Sequence, residues 1–90
     1  MEQARLDKLK ASLDEVHGWP SVYMFKFVIT TEIQKEKQLL KIFTEDIEVS
    51  KRLSKNGKYT SLTIKEVLFS ADDVIARYKA AYQIEGVIAL

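Results

Sequence analysis

Apolar residues recur along the chain with two different spacings, and these spacings predict the secondary structure. Over residues 2–16 they return every three or four positions, which is the period of an amphipathic helix. The members of this apolar stripe are Leu6, Leu9, Leu13 and Val16. Residues 21–30 are rich in aromatic and β-branched side chains and follow Pro20, so they predict a strand. A capping box formed by Thr31 and Gln34 predicts a second helix that runs to about Phe43.

The second half of the chain repeats this succession. Residues 46–54 alternate between apolar and polar positions, which predicts a half-exposed strand. The Asn56–Gly57 pair is typical of a hairpin with a type I′ turn, and residues 58–69 form the returning strand. Ser70, followed by two early carboxylates, predicts the start of a third helix, because these groups satisfy free N–H groups and the helix dipole. Residues 87–90 close the chain as a short strand.

The predicted order after the leading helix is β-α-β-β-α-β. This order is that of the ferredoxin-like fold, an α+β architecture in which two helices cover one face of a four-stranded antiparallel sheet. We expect the first and third strands at the centre, because the first is the most apolar and the second carries the charges expected of an edge. The chain is therefore interpreted as an N-terminal amphipathic helix, residues 1–18, followed by a ferredoxin-like domain, residues 19–90.

The first strand is apolar on both of its faces, which is unusual for a two-layer fold. Its aromatic face, with Phe25 and Phe27, is expected to form the core. The opposite face is also apolar except for Lys26, and we expect it to be covered. Either the N-terminal helix folds back over it, or a homodimer or another protein partner covers it. The expected interface residues are Leu6, Leu9, Leu13, Val22, Met24 and Val28.

Two groups of cationic residues are candidate binding sites. Strand alternation places Lys26 on the same face as Ser61, Thr63 and Lys65, which predicts a site for a small anionic ligand; the alternative is a lysine whose stem only covers apolar neighbours. The second group lies on the hairpin, residues 51–58, and consists of Lys51, Arg52, Lys55 and Lys58. It could contact nucleic-acid phosphates, or it could be a solvated edge that resists aggregation.

Several single residues have a structural interpretation. We expect His17 at a helix end and Trp19 as a lid on the edge of the core. Glu66 interrupts an apolar alternation, and a β-bulge that re-aims it is favoured over a buried acid. Tyr78 and Tyr82 have helical spacing, which indicates core packing with hydroxyl groups in water.

Composition narrows the possible activities. The chain has 90 residues, 47% of them hydrophobic, a net charge of +1 and no cysteine. The absence of cysteine excludes disulfides and thiol chemistry, and a single histidine leaves little for a metal site. We expect no catalytic residue, no cofactor and no metal. The neutral charge balance argues against a dedicated nucleic-acid binder. No apolar run exceeds four residues, so we expect no membrane span, no signal peptide and a cytoplasmic location.

Four sequence elements, in their order and spacing, resemble the YbeD-like family of small bacterial proteins of unknown function. They are Pro20 with Tyr23-x-Phe25-Lys26-Phe27, the segment Ser54-Lys55-Asn56-Gly57-Lys58-Tyr59-Thr60-Ser61, Val74-x-x-x-Tyr78 and Ile84-x-Gly86-Val87. The resemblance covers residues 19–90 and implies a ferredoxin-like fold similar to the regulatory ACT domains, which bind small molecules at dimer interfaces. We therefore expect a non-enzymatic regulatory or adaptor domain that acts through protein contacts or a small ligand at an oligomer interface. The alternative is weak nucleic-acid binding through the basic hairpin.

Overall fold

A computed structural model describes residues 3–16 and 18–90. It confirms an α+β chain with a four-stranded antiparallel sheet, in the order β2-β3-β1-β4. The elements are α1 (Gln3–Val16), β1 (Ser21–Thr30), α2 (Ile33–Leu40), β2 (Glu48–Leu53), β3 (Tyr59–Leu68), α3 (Ala71–Ala81) and β4 (Ile88–Ala89). The two central strands are β1 and β3, as their apolar sequences predict, and β2 lies at an edge. Within the described ranges, no helix is both long and apolar enough to span a bilayer.

One face of the sheet, here called the closed face, packs against the helices and forms the core. Alternation along the two central strands places their largest apolar side chains on this face, where they are fully buried. They are Phe25, Phe27, Ile29, Leu62 and Ile64, joined by Leu39 of α2 and Val74 of α3. The ring of Phe25 lies edge-on to the rings of Phe43 and Tyr78, with centroids 5.2 Å apart in both pairs. Such pairs add about 0.5–1.5 kcal/mol beyond the area that they bury.

Helix α1 belongs to the same core. Leu6 and Leu13 are only 2% and 5% exposed, and Leu9 packs against the core from its margin. The helix lies against α3, and Lys10 Nζ is 3.0 Å from Asp72 Oδ1. The expectation that Leu6, Leu9 and Leu13 form an interface or cover the second sheet face is therefore wrong, because α3 and the core margin take up this stripe. The Val16 side chain and His17 lie outside the described residues.

Helix α2 begins and ends differently from the sequence expectation. Its N-cap is Glu32, which makes no capping hydrogen bond through its side chain, so the predicted capping box is wrong. Thr31 instead continues the contact with the hairpin just beyond the end of β1, because its N–H donates to the Lys58 carbonyl at 2.9 Å and its hydroxyl lies 2.9 Å from that of Thr60. The helix ends at Leu40, and Phe43 reaches the core from the turn that follows.

The hairpin between β2 and β3 forms at Asn56–Gly57 as predicted, but the predicted turn type is wrong. Only Gly57 has a positive φ, of 73°, whereas a type I′ turn needs two such residues. The Gly57 N–H donates to the Ser54 carbonyl at 2.8 Å, and Asn56 Oδ1 accepts a hydrogen bond from the Lys58 N–H at 3.0 Å. Asn56 thus stabilises the turn through its side chain. The resulting loop sets a register in which Arg52 faces Ser61.

The final helix and strand agree well with the sequence pattern. Ser70 caps α3, since its Oγ accepts a hydrogen bond from the Asp73 N–H at 3.2 Å. Strand β4 is shorter than expected, but the Leu90 N–H donates to the Lys26 carbonyl at 2.9 Å and extends its pairing with β1. Leu90 therefore lies beside the centre of the sheet, next to Lys26.

Candidate functional site

The second face of the sheet, here called the open face, carries exposed apolar side chains. Val22 and Met24 are 58% and 48% exposed, while Val28 is half-buried. Val22 faces Val67 of β3, which is also exposed, so Val22, Met24 and Val67 form one apolar patch. Covering this face would be favourable by a free energy of about 25 cal/mol for each Å² of apolar surface removed from water. The apolar first strand therefore leaves a surface suited to an association.

A cleft of about 510 Å³ lies beside this patch, across strands β1, β2 and β3. The antiparallel register explains its lining, because Lys26 faces Thr63, Thr63 also faces Ser50, and Arg52 faces Ser61. Residues that face each other across an antiparallel pair project to the same side. We call this the cationic cleft; its polar lining residues on the open face are Lys26, Ser50, Arg52, Ser61 and Thr63, and Leu90 adds an apolar wall.

The two cations of the cationic cleft have no ion-pair partner within the described chain. Lys26 and Arg52 form no ion pair in residues 3–16 and 18–90, and no carboxylate side chain lines the cleft. Hydroxyl groups can donate further hydrogen bonds to an anion, and arginine matches carboxylate and phosphate groups with two parallel N–H donors. The arrangement is therefore suited to binding a small carboxylate or phosphate.

Three of the four residues predicted for the anion site come together in this cleft. Lys26, Ser61 and Thr63 line it, whereas Lys65 lies further along β3, between Met24 and Glu48 in the register. Arg52 and Ser50 also line the cleft, although alternation along single strands does not predict them there. Pairing the two strands across the Asn56–Gly57 turn would have found them, because the loop length determines which residues face each other.

The predicted nucleic-acid residues do not form a single surface. Alternation directs Lys51 and Arg52 to opposite faces of the sheet, and Lys51 Nζ is 3.1 Å from Glu36 Oε1. Lys58 Nζ lies over the Tyr59 ring, 5.5 Å from its centroid, and Lys55 is exposed in the turn. The charge run in the sequence is thus divided among two faces and a loop.

Glu66 is a buried acid, and the expectation of a β-bulge that re-aims it is wrong. The ladder is regular where Glu66 faces Tyr23, so the side chain points into the closed face and is 2% exposed. Arg77 Nε donates to Glu66 Oε1 at 2.7 Å, and the Thr44 N–H and hydroxyl donate to Oε2 at 2.9 and 3.0 Å. Burial alone would raise the pKa of Glu66, but these hydrogen bonds outweigh it and hold the pKa below its usual value. We call Glu66, Arg77 and Thr44 the buried ion-pair cluster.

The aromatic residues singled out in the sequence are structural. Trp19 packs against the edge of the core, and its Nε1 donates to Asp14 Oδ1 at 3.3 Å. The Tyr78 ring lies in the core, and its hydroxyl is 3.0 Å from that of Tyr23. Burial, together with this contact, raises the pKa of Tyr78. Tyr82 is exposed, so only one of the two tyrosines packs as predicted.

Among the residues that the structure describes, no three histidine or acidic side chains are placed to hold a metal ion.

Comparisons with known proteins identify a family but no function. A family model described as "Protein of unknown function (DUF493)" matches residues 14–90, which confirms the resemblance to the YbeD-like family. Neither the curated proteins nor the solved structures gave a match.

Proposed function

We propose that this chain, which belongs to the YbeD-like family of unknown function, is a non-enzymatic regulatory or adaptor domain. It acts through its open face, where the cationic cleft binds a small carboxylate or phosphate ligand and the apolar patch contacts a protein partner. The observation that carries the proposal is that one cleft holds three hydroxyl groups and two cations, Lys26 and Arg52, that form no ion pair among the described residues. Exposed positive charge beside apolar surface favours binding over a purely structural role.

The strand order supports classification of the fold as ferredoxin-like and similar to the ACT domains. The order β2-β3-β1-β4 has the first and third strands at the centre, and the chain alternates strands and helices as that arrangement requires. Because the resemblance is to bacterial proteins and the chain has no cysteine, a bacterial, cytoplasmic protein fits the same proposal.

A non-catalytic role fits the composition of the cleft. A serine or threonine nucleophile needs a base in contact with its hydroxyl, usually a histidine. The described residues that line the cleft include no imidazole and no carboxylate side chain. Hydrogen-bond donors and fixed positive charge are instead the requirements for holding an anion.

Isothermal titration calorimetry with inorganic phosphate and with a small dicarboxylate, succinate, tests the ligand site. We expect saturable binding of at least one of them, and a loss of affinity of about tenfold or more in Lys26→Gln and in Arg52→Gln. Lys65→Gln is the matched control, because it removes the same charge from the same face outside the cleft. Equal affinities in all four proteins, or no binding of either anion, would contradict the proposal.

The second candidate function is weak nucleic-acid binding through the hairpin. Its support is the exposed Lys55 in the turn and Lys58 beside the Tyr59 ring, an arrangement of cation and aromatic group that suits single strands. The support is weaker than for the cleft, because Lys51 is already paired with Glu36.

A further inference from the structure

A second pocket, of about 350 Å³, opens beside the apolar patch on the open face. Val22 and Val67, which face each other across β1 and β3, form its apolar wall. We call it the acidic pocket; its charged lining residues are Asp46, Glu48 and Lys65. Among the described residues, none lines both this pocket and the cationic cleft, so a molecule bound here leaves Lys26 and Arg52 available to a ligand.

The acidic pocket has one more negative charge than positive charge. The register places Lys65 opposite Glu48 across the β2–β3 pair, and Asp46 contributes the second carboxylate. Within the described chain, neither carboxylate forms an ion pair and no second cation lines the pocket. One ammonium group balances one carboxylate charge, so the pocket is complementary to one further positive charge.

The exposed apolar side chains around the acidic pocket indicate which cation fits. Val22 and Val67 are 58% and 51% exposed, and Met24, the next residue of β1 on this face, is 48% exposed. Phe69 follows Val67 by two positions and is 69% exposed. The stem of an arginine side chain can pack on such a surface, while its planar guanidinium has enough N–H donors for two carboxylates. An arginine therefore matches both the charge and the apolar wall of the pocket.

We propose that the apolar patch contacts a protein partner that presents an arginine between apolar side chains, and that this arginine occupies the acidic pocket. The inference rests on the protein contact proposed above for the open face, and it adds the chemistry of the partner. The arginine stem lies on Val22 and Val67. Its guanidinium donates hydrogen bonds to Asp46 and Glu48.

The spacing along β1 favours an extended partner segment. Side chains two positions apart in a strand point to the same side and are about 6.6 Å apart, which is also the spacing of Met24 and Val22. A segment with the pattern apolar-x-arginine-x-apolar therefore places one apolar side chain on Met24 when its arginine lies at Val22. The other apolar side chain extends in the direction of Phe69.

Amide chemical-shift mapping by NMR with short peptides tests the chemistry of the partner. The probe is the pentapeptide leucine-serine-arginine-serine-leucine, blocked at both ends. The matched peptide has citrulline in place of arginine, which keeps the shape of the side chain and removes its charge. We expect saturable shift changes at Val22, Glu48, Lys65 and Val67 with the arginine peptide, and an affinity at least about fivefold lower for the citrulline peptide.

Variants of the full chain separate the contribution of charge from that of shape. The double variant Asp46→Asn, Glu48→Gln should bind the arginine peptide no more tightly than the native chain binds the citrulline peptide, because both acceptors lose their charge. Lys65→Gln should bind the arginine peptide about twofold or more tightly, because it removes the cation that competes for the same carboxylates. Glu85→Gln is the matched control, since it removes an exposed acid outside the pocket. The NMR spectrum of each variant without peptide shows whether it is folded.

Four results would overturn the proposal. They are no binding of the arginine peptide, equal affinities for the two peptides, a double variant that binds the arginine peptide as tightly as the native chain, and shifts at the same amides when the chain alone is diluted. The last result would mean that a second copy covers the patch. Equal binding of both peptides at the patch would refute the role of arginine and leave the proposed protein contact standing. The phosphate and succinate titrations test the cationic cleft separately, because its residues lie outside the acidic pocket.

Discussion

The two faces of the sheet each carry charged residues, and the two groups differ in how those charges are compensated. On the closed face, the Glu66 carboxylate accepts hydrogen bonds from Arg77 and Thr44 and is sealed from water. On the open face, Lys26 and Arg52 share a cleft with three hydroxyl groups, and within the described chain they have no acidic partner. On the closed face, the charged groups are paired and connect the elements of the fold. On the open face, the charged groups are exposed and can contact another molecule.

Under the proposed function, this difference separates residues that stabilise the fold from residues that bind a ligand. Glu66 joins three parts of the chain, because β3 carries the acid, α3 carries Arg77 and the turn after α2 carries Thr44. Removing the Arg77 side chain would leave the buried Glu66 carboxylate without an opposite charge. Lys26 and Arg52 are exposed, and their removal should cost little in folding.

The largest expected contrast lies within β1, between neighbouring residues on opposite faces. Phe25→Ala should lower the free energy of unfolding by about 3–5 kcal/mol, because it leaves a cavity among packed rings. Met24→Ala should lower it by less than about 1 kcal/mol, because nearly half of that side chain is exposed. Urea denaturation of both variants measures the difference. Similar losses would show that the open face is packed as tightly as the core.

The second prediction compares two arginines. Arg77→Met should lower the free energy of unfolding by about 3 kcal/mol, since it leaves the Glu66 carboxylate buried with only Thr44 as a partner. Arg52→Met should change it by no more than about 0.5 kcal/mol. Thermal and urea unfolding of the two variants provide the measurement. A loss in Arg52→Met as large as that in Arg77→Met would mean that Arg52 has a structural role.

The third prediction concerns pH. The folded state holds the pKa of Glu66 below its ordinary value of 4.5, so the ionised carboxylate stabilises the fold. This contribution is present above pH 4.5 and is lost as the pH falls through the lower, folded pKa. We expect the native chain to have a larger free energy of unfolding than Glu66→Gln at pH 6, and this difference to shrink as the pH falls below 4.5. The total loss should be about 1.4 kcal/mol for each unit by which the folded pKa lies below the unfolded pKa. An advantage that stays constant down to pH 3 would contradict the assigned direction.

The smallest expected effect belongs to the hairpin. The double variant Lys55→Glu, Lys58→Glu should leave phosphate affinity within about twofold of the native value, because both residues lie outside the cationic cleft. Fluorescence anisotropy with a single-stranded oligonucleotide gives the comparison. Binding that falls steeply with salt and disappears in the double variant would favour the nucleic-acid function instead.

The sequence pattern predicts the elements well because each depends on neighbours a few positions away. The strand at 21–30, the hairpin at Asn56–Gly57 and the cap at Ser70 are all local features. Glu66 was misjudged because its partner Arg77 lies on another element, and period-two alternation contains no information about such a partner. One signal was present, since Arg77 follows the buried Val74 by one helical turn and can face the sheet.

The predicted grouping of residues on the open face agrees in part with the structure for the same reason. Alternation along single strands found Lys26, Ser61 and Thr63, but Arg52 and Ser50 depend on the register of β2 with β3. The apolar stripe of Leu6, Leu9 and Leu13 shows what helical periodicity does not predict. Its period predicts an apolar helix face, but the surface that the face contacts is decided by the space beside α3.

Amide chemical-shift mapping by NMR, with inorganic phosphate as the titrant, tests most directly whether the open face is the binding site. We expect shift changes that saturate and cluster at Lys26, Ser50, Arg52, Ser61 and Thr63, with the amides of the buried ion-pair cluster unchanged. Shift changes spread over all exposed lysines without saturation, or concentrated on the closed face, would contradict a binding site in the cationic cleft.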